Sequence, residues 1–410
     1  MQSFDVIIVG GGMVGLALAC GLDGCGMRIG VIENSPPKHQ FDLEEPPALR
    51  VSAINVSSQK LLDFLGVWQK IIKNRITGYK QIKVWQHSSF CKIQFDSKYY
   101  DLPYLGHIIE NPVIRMSLWQ QAQSSADITL LTDSMLIKVV WGENEVFMTF
   151  DNDKTLSARL VVGADGSKSW LRKKANISLR FWEYEHKALV ATVKTEIPHM
   201  YTARQSFHRN SILASLPLYD PHICSIVWSL PSTQAIKYMY LEVSEFNKEL
   251  SVALDMNLGF CKLISERQVF PLISQYARNF ASQRIALLGD AAHTIHPLAG
   301  QGVNLGFMDA AELIGELRRL NAEGKDIGQY LYLQCYERKR KYSALLMLAS
   351  MHGFHWLFNG NNPIKKILCN FGLLITNVVP GIKQNLLSYA LGLYDMPEWL
   401  EKVMVNTSRI

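Results

Sequence analysis

Cysteine is scarce in this 410-residue chain and shows no paired pattern. The seven cysteines are odd in number, scattered between Cys20 and Cys369, and form no Cys-x-x-Cys pair. This usage predicts reduced thiols that act mostly as small core residues, and it argues against a secreted disulfide-bonded fold. Clusters of histidine, cysteine and acidic residues with metal-ligand spacing are also missing, so we expect no metal site.

Long apolar runs are missing as well. No stretch reaches the roughly 18 uninterrupted apolar residues of a membrane-spanning helix. No basic segment precedes the first apolar stretch, which Asp5 and a glycine cluster interrupt, so we expect no signal peptide. We therefore expect a cytoplasmic protein, with peripheral contact to the inner membrane left open.

The chain also lacks a strong charge imbalance. Lysine and arginine number 42 against 36 acidic residues, a net charge of +6, and the composition is 48% hydrophobic and 19% charged. These values are typical of a globular protein, and the length suggests two or three domains. The mild basicity suits an anionic cofactor or an anionic membrane surface. It is too diffuse to indicate nucleic acid, for which the chain also carries no motif.

A glycine cluster near the start carries the clearest signal. Gly10, Gly12 and Gly15 lie between the apolar run 4–9 and a helix predicted from Met13 to Cys20, and a second apolar run ends on Glu33. In a dinucleotide site such glycines tighten the turn, admit a pyrophosphate to the backbone and let the helix pack closely. The helix N-terminus would then bind the phosphates, and Glu33 would bind an unphosphorylated ribose, as in FAD or NAD. The alternative is a glycine-rich turn without a ligand.

Two further motifs follow apolar strands later in the chain. The run 159–162 leads into Gly163-Ala164-Asp165-Gly166, and the run 284–288 leads into Gly289-Asp290. Between them, residues 188–229 alternate like short antiparallel strands. We predict a discontinuous nucleotide-binding domain (1–80, 105–178 and 275–335), a β-rich substrate domain (81–104 and 179–274) and a helical C-terminal region (336–410).

The three motifs in this order resemble those of single-component flavin aromatic hydroxylases. Together with Ser169, Arg172 and the stretch 293–306, they are similar to the ubiquinone-ring hydroxylases of bacteria, and the similarity covers nearly the whole chain. The resemblance implies an α/β fold. Its FAD-binding domain would be Rossmann-like, of the GR2 type and similar to p-hydroxybenzoate hydroxylase, with an inserted β-rich substrate domain and a helical C-terminus. It also implies FAD as cofactor and NADPH or NADH and O₂ as co-substrates.

The resemblance further implies a set of cofactor contacts. The Asp290 carboxylate would accept hydrogen bonds from the ribityl chain, although it could equally cap a helix. Arg50 and Arg115 would pair with phosphate or flavin oxygens, or be surface arginines. The helix after Gly300 would stabilise negative charge on the flavin ring. The full predicted set is Gly10, Gly12, Gly15, Glu33, Arg50, Arg115, Asp165, Gly166, Gly289, Asp290, Gly300, Gly302, Val303 and Asn304.

Catalytic candidates come from the same stretch. Pro297 resembles the family proline beside the reactive edge of the flavin. His107, His293 and His296 are candidates for the base that favours the phenolate, because imidazole titrates near neutral pH. The sequence does not choose among these histidines, and each could be a structural hydrogen-bonding group instead.

The implied substrate is a 2-polyprenylphenol, hydroxylated at the C5-type ring position. The alternatives are a later ubiquinone ring intermediate, a flavin-dependent reduction of isoprenoid double bonds, or a mainly structural role in a biosynthetic complex. Residues 338–394 contain seven basic and no acidic residues among apolar ones. Such a segment indicates contact with an anionic membrane, an ordinary helical cap, or a contact surface for other ubiquinone-pathway enzymes.

Overall fold

The computed structural model describes residues 1–37, 44–87, 92–294, 302–358 and 380–407. The strands are β1 (Gln2–Val9), β2 (Ile29–Ile32), β3 (Val51–Ile54), β4 (Ile76–Tyr79), β5 (Gln81–Gln86), β6 (Lys92–Asp96), β7 (Gly106–Glu110), β8 (Ile128–Leu131), β9 (Leu136–Trp141), β10 (Val146–Phe150), β11 (Thr155–Gly163), β12 (Leu179–Thr195), β13 (Thr202–Phe207), β14 (Ile212–Pro217), β15 (Ile223–Pro231), β16 (Cys261–Leu263), β17 (Gln268–Ala277), β18 (Ala281–Ser282), β19 (Ile285–Leu287) and β20 (His293–Thr294). The helices are α1 (Met13–Leu22), α2 (Val56–Phe64), α3 (Trp68–Ile72), α4 (Asn111–Gln123), α5 (Trp170–Lys174), α6 (Ser232–Tyr240), α7 (Val243–Ala253), α8 (Gly302–Ala322), α9 (Tyr330–Phe358), α10 (Pro380–Ala390) and α11 (Glu398–Thr407).

The first sheet is built around β1, whose residues 6–8 are fully buried. Its order is β18-β19-β11-β1-β2-β8, and the β9–β10 hairpin extends β11. The pairs β1–β11, β1–β2, β2–β8 and β11–β19 are parallel. Apolar runs of this kind are expected where helices cover both faces of a parallel sheet. The arrangement confirms the predicted α/β class.

The register of this sheet decides where the motifs meet. Val9 pairs with both Ile32 and Gly163, and Gly163 pairs with Leu287. The carboxyl ends of β1, β2, β11 and β19 therefore lie at one edge. Ligands of open α/β sheets bind at this kind of edge.

The second sheet is almost wholly antiparallel, as predicted for its central part. Its order is β20-β17-β12-β15-β14-β13-β5-β6, with β16 beside β12. The β5–β13 pair is parallel, so the segment 81–86 joins the sheet through a crossover. One face packs on α6 and α7 around Trp228, Phe246 and Leu250. The domain boundaries drawn from the sequence remain a prediction.

A small third sheet, β3-β7-β4, lies where the second sheet meets the C-terminal helices. Ala53 of β3 and Ile108 of β7 share an apolar cluster with Leu216 of β14 and with Leu387 and Leu391 at the end of α10. The C-terminal segment is thereby packed against the second and third sheets.

Candidate cofactor site

The three motif glycines after β1 are glycine for different structural reasons. Gly10 has a φ of +113°, and a Cβ there would overlap the carbonyl of Ala164. A Cβ on Gly15 would overlap the carbonyl oxygen of Gly10, so α1 can approach β1 only with glycine at that position. A Cβ on Gly12 would meet no atom of the described residues within 4 Å. Gly12 therefore faces open space, where a pyrophosphate would bring its oxygens against the backbone.

Glu33 and Arg115 lie directly beside this loop. One carboxylate oxygen of Glu33 accepts a 2.8 Å hydrogen bond from Gly11 N–H, and the other accepts one from Ser35 N–H. Arg115 donates from Nε to the Gly11 carbonyl over 2.9 Å and lies 3.4 Å from the Glu33 carboxylate. The structure thus brings together the first motif, the acid at the end of β2 and an arginine from α4.

The second motif follows β11. The Asp165 Oδ2 atom accepts a hydrogen bond from Leu171 N–H at the start of α5, whereas its Oδ1 atom is buried with no partner among the described residues. Gly166 has a φ of +79°, which favours glycine. Arg172 is almost fully buried and donates to the carbonyls of Ala291 and Ser167, so it ties the second motif to the third.

The third motif forms a tight turn after β19. Gly289 has a φ of +55°, and the Asp290 side chain reaches solvent from a recess. Desolvation by the surrounding protein raises the pKa of Asp290, while His293 and Arg50 act in the opposite direction. The Arg50 guanidinium lies 4.4 Å from the ring centre of Phe270 on the second sheet. Arg50 and Asp290 therefore belong to one recess between the sheets.

Helix α8 points its first residues toward the same region. A Cβ on Gly302 would meet none of the described atoms within 4 Å, and Val303 is half-buried against the core. Asn304 is buried, donates to the Ala53 carbonyl over 2.7 Å and accepts from Asn55 N–H. This asparagine fixes the start of α8 to β3. Gly300, His296 and Pro297 lie outside the described residues.

Two candidate histidines lie within the described residues, His293 buried and His107 half-buried. His293 Nε2 lies 2.6 Å from the carboxylate of Asp309, which is itself fully buried. His107, in β7, packs against Trp68 and Tyr104, and burial lowers its pKa to about 4. His107 is therefore neutral at physiological pH. His293 is held in a polar network that the sequence reasoning missed.

That network is centred on Asp309 and Arg340. Asp309 lies on the buried face of α8, and Arg340 is almost fully buried on α9. The available signal in the sequence was an acid within an otherwise apolar helix face. Its partner could not be identified, because Arg340 stands in a run of basic residues that looks exposed.

The geometry fits a bound FAD. Helix α1 begins at Met13, and its N-cap residue Gly12 has no side chain to cap it, so among the described residues the first N–H groups of the helix are available to bind phosphate. The space at Gly12 and the unpartnered Asp165 oxygen lie just beyond the carboxyl ends of β1 and β11, which pair in the same sheet. The recess between the sheets would hold the remainder of the cofactor.

Comparison with known proteins agrees with this geometry. The FAD binding domain family matches residues 3–349. The 3-demethoxyubiquinol 3-hydroxylase of Escherichia coli is 33% identical over 392 residues, covering 96% of this chain and 99% of the relative. The chain belongs to the FAD-dependent monooxygenase family of the ubiquinone-ring hydroxylases. The predicted family and the predicted FAD cofactor are thus confirmed.

Two further comparisons extend this family assignment. The mitochondrial ubiquinone biosynthesis monooxygenase COQ6 of Danio rerio is 32% identical over 436 residues, covering 95% of this monooxygenase and 90% of the relative. The crystal structure of p-nitrophenol 4-monooxygenase from Pseudomonas putida superposes with a TM-score of 0.76 at 17% identity, covering 95% of this chain and 99% of that one. This likeness confirms the predicted fold.

The described residues lack two further kinds of feature. Within the ranges given above, no helix of the monooxygenase is long and apolar enough to cross a membrane. Over the same ranges, no group of three or more histidine, cysteine or acidic side chains is placed to hold a metal ion.

Proposed function

We propose that this monooxygenase hydroxylates the ring of a 2-polyprenylphenol in ubiquinone biosynthesis, with FAD, NADPH or NADH, and O₂. The observation that carries the proposal is the meeting of all three motifs at one sheet edge, beside which Arg50 contacts Phe270 of the second sheet. The relatives named for ubiquinone biosynthesis support the pathway.

In this proposal, different residues along the sheet edge bind different parts of the cofactor. The N–H groups after Gly12 would bind the pyrophosphate, and Glu33 would bind the adenosine ribose, with Arg115 holding Glu33 in place. Asp290 would accept from the ribityl chain, and Gly166 and Asp165 would line the opposite wall. The start of α8 would lie against the flavin ring. Bound FAD supplies the transfer of electrons from the nicotinamide and of oxygen to the ring.

The residues of the second sheet would orient the substrate and exclude water. Ala188, Val190 and Leu272 are buried on one face with Phe270 and Val227 packed against them. An apolar wall next to the Arg50–Asp290 recess suits a hydrophobic ring and protects the reaction from solvent. Because His293 is buried and its Nε2 atom lies against the buried Asp309, it does not face a substrate. His296 is therefore the proposed base for the phenol proton, and Pro297 stays the proposed contact at the flavin edge.

Isotope incorporation tests this function. The FAD-loaded protein is incubated with NADPH, ¹⁸O₂ and a short-chain 2-prenylphenol, and the product is analysed by mass spectrometry and NMR. We expect one labelled oxygen on the ring carbon at the C5-type position and no product without oxygen. Turnover that persists without oxygen would instead indicate isoprenoid reduction, and NADPH oxidation yielding only peroxide would contradict the 2-prenylphenol assignment.

A second candidate is hydroxylation of a later ubiquinone ring intermediate. It is favoured by the 33% identity to the 3-demethoxyubiquinol 3-hydroxylase over almost the whole of both chains. A short-chain demethoxyubiquinol analogue, tested in parallel under the same conditions, separates the two. The substrate with the higher kcat/KM and the lower peroxide yield is the one for which the site is built.

We also propose that the C-terminal region contacts a membrane, through apolar rather than basic side chains. Lys339 and Lys341 are paired with Glu312 and Glu337, and Arg340 is buried. Tyr342, Leu345 and Leu346 are exposed on α9, between 37% and 70%. These three side chains would insert at the interface and bring the enzyme to a prenylated substrate.

Co-sedimentation with liposomes tests this contact. We expect the protein to sediment with phospholipid vesicles at both low and high salt, because the proposed contact is apolar, and the triple variant Tyr342→Ser, Leu345→Ser, Leu346→Ser to stay in the supernatant. Leu331→Ser, which changes an equally exposed leucine at the start of α9, should sediment like the wild type. If the wild type fails to sediment, or if both variants behave alike, the patch is no membrane contact.

A further inference from the structure

The carboxylate of Asp309 joins two parts of the molecule that are distant in sequence. Its Oδ2 atom accepts a 2.9 Å hydrogen bond from Gly289 N–H and lies 2.6 Å from His293 Nε2. Its Oδ1 atom accepts a 2.6 Å hydrogen bond from Arg340 Nε. Asp309 thus holds both ends of the turn 289–293, from which Asp290 projects into the recess.

The other side of Arg340 binds the C-terminal segment. Its two terminal nitrogens donate to the two carboxylate oxygens of Asp395 over 2.8 and 3.0 Å. The Ser343 hydroxyl also donates to Asp395. Asp395 lies between α10 and α11, just after Leu391, whose carbonyl accepts from Ser57. A fork of this kind fixes both orientation and distance, as a single contact would not.

The surroundings make these contacts interdependent. Asp309 is fully buried and Arg340 nearly so. Burial alone would raise the pKa of Asp309, but the charges of His293 and Arg340 lower it below its ordinary value. Removing one member of such a group leaves a buried charge without its partner, so its neighbours must rearrange. A change at Asp395 is therefore transmitted through Arg340 to Asp309.

We propose that Asp309, Arg340 and Asp395 are positioning residues that couple FAD binding to docking of the C-terminal segment 380–407. The inference rests on the FAD contact proposed for the Gly289–Asp290 turn. When the segment is docked, Asp395 holds Arg340, Arg340 holds Asp309, and Asp309 holds the turn in its FAD-binding conformation. By linkage, bound FAD must favour docking of the segment by the same factor.

FAD affinity of the apoprotein tests the coupling without using enzymatic activity. Asp395→Asn leaves the turn itself untouched, and we expect it to weaken FAD binding about five- to tenfold, as measured by flavin fluorescence titration. The control is Asp326→Asn, which breaks another two-pronged pair, with the buried Arg284 at the amino end of β19. The control should lower the stability of the apoprotein and leave FAD affinity unchanged.

Limited proteolysis provides the reciprocal readout. FAD should slow cleavage within 380–407 in the wild type and in Asp326→Asn, but not in Asp395→Asn. Arg340→Lys retains the charge but not the fork, and it should fall between the wild type and Asp395→Asn in both measurements. The proposal is overturned if Asp395→Asn binds FAD like the wild type, or if Asp326→Asn loses as much affinity. Because neither readout involves hydroxylation, a wrong substrate assignment would leave these results unchanged.

Discussion

Gly12→Ala should leave the fold intact and weaken FAD binding by about 10- to 100-fold, the effect of about 1–3 kcal/mol of overpacking. The reason is that a Cβ at this position meets no atom within 4 Å in the part of the chain that the structure describes, so the methyl group enters the space proposed for the pyrophosphate. Urea unfolding of the apoprotein and titration with FAD measure the two effects separately.

Gly10→Ala and Gly15→Ala are the matched controls for that experiment. At both positions the new Cβ overlaps backbone, namely the carbonyl of Ala164 or that of Gly10, and at Gly10 the positive φ adds strain. We expect both variants to lose apoprotein stability and FAD binding together. Wild-type affinity in Gly12→Ala would show that the phosphates do not approach the backbone at this point.

The sheet edge at which the three motifs meet could be predicted well from the sequence, because local patterns determine it. Each motif directly follows an apolar run, and parallel strands bring their carboxyl ends together whatever the length of chain between them. Glu33 was placed by the same logic, and the structure puts it within 2.8 Å of Gly11. The helix predicted from Met13 to Cys20 extends to Leu22, since nothing in the composition stops it earlier.

Long-range polar contacts were beyond the reach of such patterns. Arg340 and Asp395 are 55 residues apart, and nothing in their local sequence indicates that they meet. The run 338–341 belongs to the segment for which the sequence leaves open a membrane contact, an ordinary helical cap or a contact surface for other enzymes. In the structure Lys339, Arg340 and Lys341 are all paired with acids. Spacing reports which residues share a helix face, whereas the partner of that face depends on packing across the whole chain.

The role of His107 was also open in the sequence, and its burial leads to a pH-dependent prediction. An unfolded histidine has a pKa near 6.5, whereas burial lowers the pKa of His107 to about 4. Between these values the unfolded chain binds a proton that the folded protein excludes. The folded protein therefore keeps its full free energy of unfolding above about pH 6.5. As the pH falls toward 4, the protonation of His107 in the unfolded chain lowers this free energy, by about 3 kcal/mol in total.

His107→Phe should remove this acid sensitivity while keeping the ring contacts to Trp68 and Tyr104, whose centroids lie 5.1 and 5.2 Å away. We expect the variant to gain stability relative to the wild type as the pH falls, by about 2.5 kcal/mol between pH 7.5 and 4.5. Denaturant unfolding of both proteins at several pH values measures this difference in the free energy of unfolding. A difference that stays constant with pH would mean that His107 is protonated equally in the folded and unfolded states. If the variant also couples NADPH oxidation to hydroxylation as the wild type does, His107 cannot be the base, because phenylalanine accepts no proton.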